Sequence, residues 1–254
     1  MERDMNKDLF TYVLRQADNS MILCQRLCQW VAKGPELEED IALTNIGLDM
    51  IGQARSLYQY AAKLSDEEIS EDDLAFMRDE RDWTNLLLLE QPNGNFADTI
   101  ARQYFYDVWH LAFLEQLIES KDETLAAVAA KSVKEARYHL RHSSAWVKRL
   151  GDGTEISKQH MQAAIDEMWQ FTPELFESDE LDQRLLADGI AANLAEVEKR
   201  WHSHVSATLS EATLNQPEQA FLMSGGRQGL HTQHMGYLLA EMQILPRSMP
   251  GCEW

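Results

Sequence analysis

Apolar positions recur along most of this chain at the three- and four-residue spacing of a single helix face. Leu43, Ile46, Met50, Gln53 and Leu57 step by 3, 4, 3 and 4, the seam of a left-handed helix bundle. Ile100, Gln103, Asp107, His110, Leu114 and Leu117 form a second stripe, and Ala129, Ser132, Ala136, His139, Ser143, Trp146 and Leu150 a third. Strand-like alternation never persists beyond a few residues. Helix breakers gather at GPEL (34–37), QPNGN (91–95), GDG (151–153) and SGGRQG (224–229). Between them the pattern predicts helices near 7–32, 38–63, 96–120, 123–150, 157–177, 193–214 and 230–248, with a short one around 72–81. A helix of ~25 residues is ~37 Å long at ~1.5 Å per residue. Four such helices make an all-α four-helix bundle over about 7–150, with appended helices over about 157–248, in one domain spanning 1–254.

End signals agree with these spans. Glu38, Glu39 and Asp40 place negative charge on the first turn of the second helix, where the helix dipole favours it. Gly34 and Pro35 stop the helix before it. The acidic run Ser65 to Asp73 lacks the glycine and spacing of a calcium loop and reads as a solvated connection.

Composition narrows the partners. With 23 basic and 42 acidic residues the formal charge is −19, a surface that repels phosphate backbones and anionic lipid, so neither nucleic acid nor membrane is an expected partner. The N-terminal MERDMNKDLF has no apolar signal region, and no apolar run approaches ~18 residues, so the expected location is cytoplasmic. Cys24, Cys28 and Cys252 suggest no disulfide framework; Cys24 and Cys28, four apart on one helix, are expected to be small buried free thiols. Most of the seven tryptophans are expected in the core, with Trp254 as an interface anchor.

The stripes carry the candidate chemistry. In di-iron helix bundles two helices each offer a Glu-x-x-His pair to the interior and two more each add a Glu. Here the matching i, i+3 positions hold Met50 and Gln53 on one helix and Ala136 and His139 on another. A thioether and a neutral amide do not neutralise two metal ions. Glu135 stands four residues before His139, out of register, so only one of them lies squarely on the seam. Asp107 and His110 alone keep a carboxylate and an imidazole at i, i+3; with His139 they would furnish a mononuclear iron or zinc site. The expectation is a degenerate ligand frame with no metal and no catalytic residue, in which Asp107, His110, Glu135 and His139 form a buried hydrogen-bonded remnant. Near the C-terminus, Gly225, Gly226 and Arg227 precede an expected helix start near Leu230, with His231 and His234 beyond. That combination suits a phosphate or coenzyme A contact on the Gly225–Gly229 loop, or a turn that docks the last helix or meets a partner.

Four strings, LTNIGLDMIGQAR, LLLLEQPNGNFADTIARQYFYDVWH, KEARYHLRHS and GLHTQHMGYLLAEMQ, resemble the C subunits of bacterial phenylacetyl-CoA 1,2-epoxidases, over about Leu9 to Trp254. The resemblance implies a ferritin-like fold and a place in a hetero-oligomeric oxygenase that epoxidises the ring of phenylacetyl-CoA in aerobic phenylacetate degradation. The A subunit would hold the di-iron centre, and a reductase subunit would bring electrons from NADPH through FAD and a 2Fe–2S cluster. This chain would pair with the A subunit as a structural, non-catalytic partner with no cofactor of its own. The readings set beside this one are a metalloenzyme using Asp107, His110 and His139, and a docking subunit for the reductase whose acidic surface steers a basic partner.

Overall fold

A computed structural model describes residues 2–218 and 221–252, with side chains from Met5 onward. Its elements are helical throughout, and no strand occurs among the described residues. No helix there is long and apolar enough to cross a membrane. The chain divides into two compact units, residues 1–90 with 225–254, and residues 91–224.

The first unit is built on α1 (Glu2–Cys28) and α2 (Leu37–Leu64). Leu43, Ile46, Met50, Gln53 and Leu57 are all buried, as the spacing predicts. Ser20 meets Gln53 and Asp18 meets Tyr58, a descending register that makes the pair antiparallel. The acidic connection ends in a capping box: Ser70 and Asp73 exchange hydrogen bonds at the start of α3 (Glu71–Phe76). The helix expected over 72–81 is therefore α3 followed by a separate 3-10 turn, Glu80–Asp82. The four-residue α4 (Leu87–Glu90) closes this stretch, and α10 (Met235–Ser248) returns to pack on α1 and α3.

A buried carboxylate that spacing did not reveal ties these pieces together. Asp18, fully buried, accepts hydrogen bonds from Tyr58 Oη at 2.8 Å, from both terminal nitrogens of Arg78, and from Thr84 N–H and Oγ1 at 2.9 Å each. Arg78 stacks over Trp83 with its guanidinium carbon 4.3 Å from the ring centre. Burial, followed by the Asp18 charge, pushes the Tyr58 hydroxyl well above the usual phenol range.

The second unit holds α5 (Phe96–Leu117), α6 (Glu123–Gly151), α7 (Glu155–Trp169), α8 (Glu180–Ala187) and α9 (Leu194–Glu211). Asn95 Oδ1 caps α5 by accepting from Ala97 N–H at 2.8 Å, and Asp98 Oδ2 accepts from Asn95 N–H at 2.7 Å. The buried Arg102 donates to Gln91 O at 2.6 Å and Asn93 Oδ1 at 2.7 Å, fixing the QPNGN turn from inside. α5 is buried along nearly its whole length, with α6, α7 and α9 against it. Trp109 and Trp201 lie in this core with their indole N–H groups on the carbonyls of Leu175 and Phe105.

Four further expectations are corrected. The helix expected over 157–177 ends at Trp169; Pro173 opens a 3-10 turn, Thr172–Phe176. The last helix begins at Met235 and not near Leu230. The α6 stripe holds from Ala129 to Ser143 and then passes to Val147 and Gly151, leaving Trp146 and Leu150 half-buried. Cys24 is buried but Cys28, the last residue of α1, is exposed. Of the tryptophans, Trp83, Trp109, Trp169 and Trp201 are core residues; Trp254 lies outside the described residues.

Candidate functional site

In the first unit, α2 holds Met50 and Gln53 on its buried face; Met50 is 1% exposed. Gln53 Oε1 accepts from Ser20 Oγ at 3.0 Å, and no hydrogen-bond partner for the buried Gln53 Nε2 occurs among the described residues. Thioether, amide and hydroxyl are all uncharged, so this part of the seam offers nothing to balance a metal's charge.

In the second unit, Asp107 is 1% exposed on α5. Its Oδ1 accepts from Gln103 Nε2 at 2.7 Å, and its Oδ2 lies 2.7 Å from Ser143 Oγ on α6. Burial pushes the carboxyl up to about 8, more than these two hydrogen bonds pull it down, so the group is protonated at neutral pH. A neutral carboxyl can donate to Ser143 Oγ, whose own hydrogen then faces the Leu140 carbonyl at 3.4 Å. One turn along, His110 is buried and stacked on Tyr106 at 4.9 Å between ring centres. Burial, then the neighbouring His139, holds its imidazole down to about 3, so it is neutral too. His139 is fully buried on α6 beside Ala136, and Glu135 is half-buried.

The chemistry of these donors does not fit an iron pair. A di-iron centre needs several carboxylates on one cavity; here, among the described residues, the α5–α6 seam supplies one buried carboxyl, Asp107. Among the described residues no three His, Cys, Asp or Glu side chains converge as a metal-binding group, so Asp107, His110 and His139 are not assembled as three ligands.

The C-terminal motif has a definite position. Gly225, Gly226 and Arg227 enter a 3-10 turn, Gly226–Gln228. The N–H groups of Gln228, Gly229 and Leu230 donate to the Gly225 and Gly226 carbonyls, so those amides are spent inside the turn. Gly229 has φ +70°, and a Cβ there would sit 2.2 Å from the Arg81 carbonyl oxygen. Gly229→Ala is therefore expected to cost about 2–4 kcal/mol, the sum of left-handed strain and a backbone clash. Urea unfolding checks it; a loss below about 1 kcal/mol would show that the turn can move off Arg81.

Beyond that turn His231 meets Glu90, a buried carboxylate that spacing missed. Glu90 is fully buried; its Oε1 accepts from His231 Nδ1 at 2.6 Å and Asn85 Nδ2 at 3.0 Å. Its Oε2 accepts from Thr232 N–H at 2.8 Å and Oγ1 at 2.7 Å. His231 Nε2 lies 3.0 Å from the Trp83 carbonyl, which can only accept. With Glu90 ionised, both ring nitrogens donate, which is the imidazolium form. Burial pulls its pKa down, but the Glu90 hydrogen bond and charge outweigh that and raise it. Arg26 donates to the Glu90 backbone carbonyl, adding α1 to the same knot. The half-buried His234 precedes α10, its N–H donating to Thr232 Oγ1 at 3.3 Å. The one sequence signal for Glu90 is a carboxylate closing the apolar run Leu86–Leu89.

The chain is matched along residues 1–254 by the family model described as "Phenylacetic acid catabolic protein", a ferritin-like family. It is 55% identical over 246 residues to the C subunit of the 1,2-phenylacetyl-CoA epoxidase of Escherichia coli (strain K12), covering 97% of this chain and 99% of that protein. A match along the whole sequence, on an all-helical fold whose ligand-spaced positions are recognisable, shows that the chain belongs to the phenylacetic acid catabolic protein family.

Proposed function

We propose that this chain is a structural, non-catalytic subunit of a phenylacetyl-CoA 1,2-epoxidase complex, acting in phenylacetate catabolism and paired with a di-iron catalytic subunit. The observation that carries the reading is the 55% identity to the C subunit of such an epoxidase, over nearly the full length of both chains. The donor set supports it. Met50, Gln53 and Ala136 stand where a di-iron bundle would need ligands, and Asp107 is the one buried carboxyl on its stripe. An interior without compensating metal charge is cheaper to hold rigid than one with several buried carboxylates. A rigid inert bundle can then support a partner whose own core is destabilised by its ligands.

Co-expression with a catalytic A subunit tests the proposal. The two chains are expected to elute together across an interface of about 2,000 Å² or more. Epoxidation of phenylacetyl-CoA, driven by the reductase, should require both. A catalytic subunit that is stable and fully active without this chain would overturn the structural role. Iron bound stoichiometrically to this chain alone, and lost on Asp107→Ala, would establish the metalloenzyme reading instead.

A further inference from the structure

Cys24 and Cys28 stand apart from the site described above. They lie one turn apart on α1, with their sulfurs 3.9 Å from each other, Cys24 buried and Cys28 exposed. An exposed thiol backed by a buried one within contact distance is the arrangement of an attacking and a resolving cysteine. We propose that this pair is a thiol-oxidation site at which a hydroperoxide oxidises Cys28 and Cys24 resolves the product to an intrahelical disulfide.

The steps balance. The Cys28 thiolate attacks one oxygen of the hydroperoxide; the O–O bond breaks, the sulfur is oxidised by two electrons to a sulfenic acid, and the alkoxide or hydroxide leaves with a proton from solvent. The Cys24 sulfur then attacks the Cys28 sulfur as its own proton leaves; the S–S bond forms, the S–O bond breaks, and water departs. Two thiols and one hydroperoxide give one disulfide, one alcohol or water, and one further water.

The second step needs a backbone movement. Residues four apart in a helix have Cα atoms about 6 Å apart, inside the range of about 4.4–6.8 Å that disulfides accept, but Cβ atoms about 5–6 Å apart, which must close to about 4 Å. The sulfurs must close from 3.9 Å to about 2 Å. Cys28 is the last residue of α1, where the backbone leaves the α-helical pattern: Val31 N–H donates back to the Cys28 carbonyl in a tighter turn. The closing movement falls on a helix end and not on a helix interior. The contact with Cys24 holds the Cys28 thiol down to about 6, against the opposing effect of partial burial, while the same contact and burial raise the Cys24 thiol. The exposed sulfur is thus the nucleophile and the buried one waits as the thiol.

The test uses the full chain with Cys252→Ser, leaving two thiols, and one equivalent of hydrogen peroxide. The expected result is loss of both thiols and a reducible cross-link between the tryptic peptides 16–26 and 27–33. With Cys24→Ser added, the cross-link should vanish and a dimedone-trappable sulfenic acid should accumulate at Cys28; Cys24→Ala gives the same readout should the serine disturb packing. A dimedone adduct at Cys28 in the chain that retains Cys24, without the cross-link, would overturn the proposal. So would oxidation of Cys28 no faster in the folded chain than in urea.

Discussion

Asp107→Asn is expected to stabilise the protein at pH 7, by about 2–4 kcal/mol. In the unfolded chain this carboxyl ionises near its ordinary 3.8, whereas in the folded chain burial holds it up to about 8. A folded pKa above the unfolded one means that the folded state binds the proton more tightly. Folding is therefore favoured at low pH and loses stability as pH rises from about 4 to about 8. The loss runs at about 1.4 kcal/mol per pH unit, on the order of 4 kcal/mol by pH 7. Asparagine has the shape of the neutral acid and no proton to lose. Its carbonyl accepts from Gln103, and its amide can donate to Ser143 Oγ once that hydroxyl, the donor to Asp107 Oδ2, turns its hydrogen to the Leu140 carbonyl. Urea melts at pH 4, 5.5 and 7 should show a gain that grows with pH. A variant less stable at every pH would mean that a charged carboxylate is held here by a cation. His110 adds the opposite slope. Its folded pKa lies below the ordinary value, so its contribution is present above about pH 6.5 and is lost as pH falls toward 3.

Glu90→Gln is expected to cost about 3–5 kcal/mol, because it strips the counter-charge from a buried imidazolium while leaving the ring in place. The substitution also turns an amide N–H₂ toward donors, whichever way it lies, since Oε1 and Oε2 both accept in the native protein. The His231 pKa is raised in the folded protein, so its stabilisation is fully present below about pH 6.5 and is lost as pH rises through the folded value. The variant should lack that decline, and amides of α10 should exchange faster than in the native chain. In a double-mutant cycle with His231→Gln, part of the loss should be recovered. A cost below about 1 kcal/mol would show that the ring is neutral and the pair contributes little.

These two carboxyls were not equally visible in the sequence. Asp107 lies on a regular stripe, so periodicity places it inside, but its partners Gln103 and Ser143 are not read from the spacing, which groups it with His110, Glu135 and His139. Glu90, Asp18 and Arg78 depend on partners up to 142 residues away, which no local spacing encodes. The helix stripes were legible because each rests on its own 3.6-residue period; the ends were less so. Helix α10 starts five residues later than expected because Glu90 captures His231 and Thr232 before the chain can coil. The glycines and Arg227 of 225–229 were ambiguous for a physical reason. A loop that lets a backbone approach a phosphate uses the same residues as one that lets it approach the Arg81 carbonyl. Cys28 was misplaced by one helix end: four residues from Cys24 puts it on the same face, but α1 stops there and the face opens to solvent.

The first unit is assembled from both ends of the chain, with residues 91–224 between them forming the other. During synthesis at about 5–20 residues per second, Glu90 therefore emerges some ~7–30 s ahead of His231, 141 residues later. Over that interval the nascent chain carries a carboxylate destined for an apolar interior with its cation still unmade. The segment 91–224 is synthesised before then, so the N-terminal helices lack part of their own unit until residues 225–254 are made.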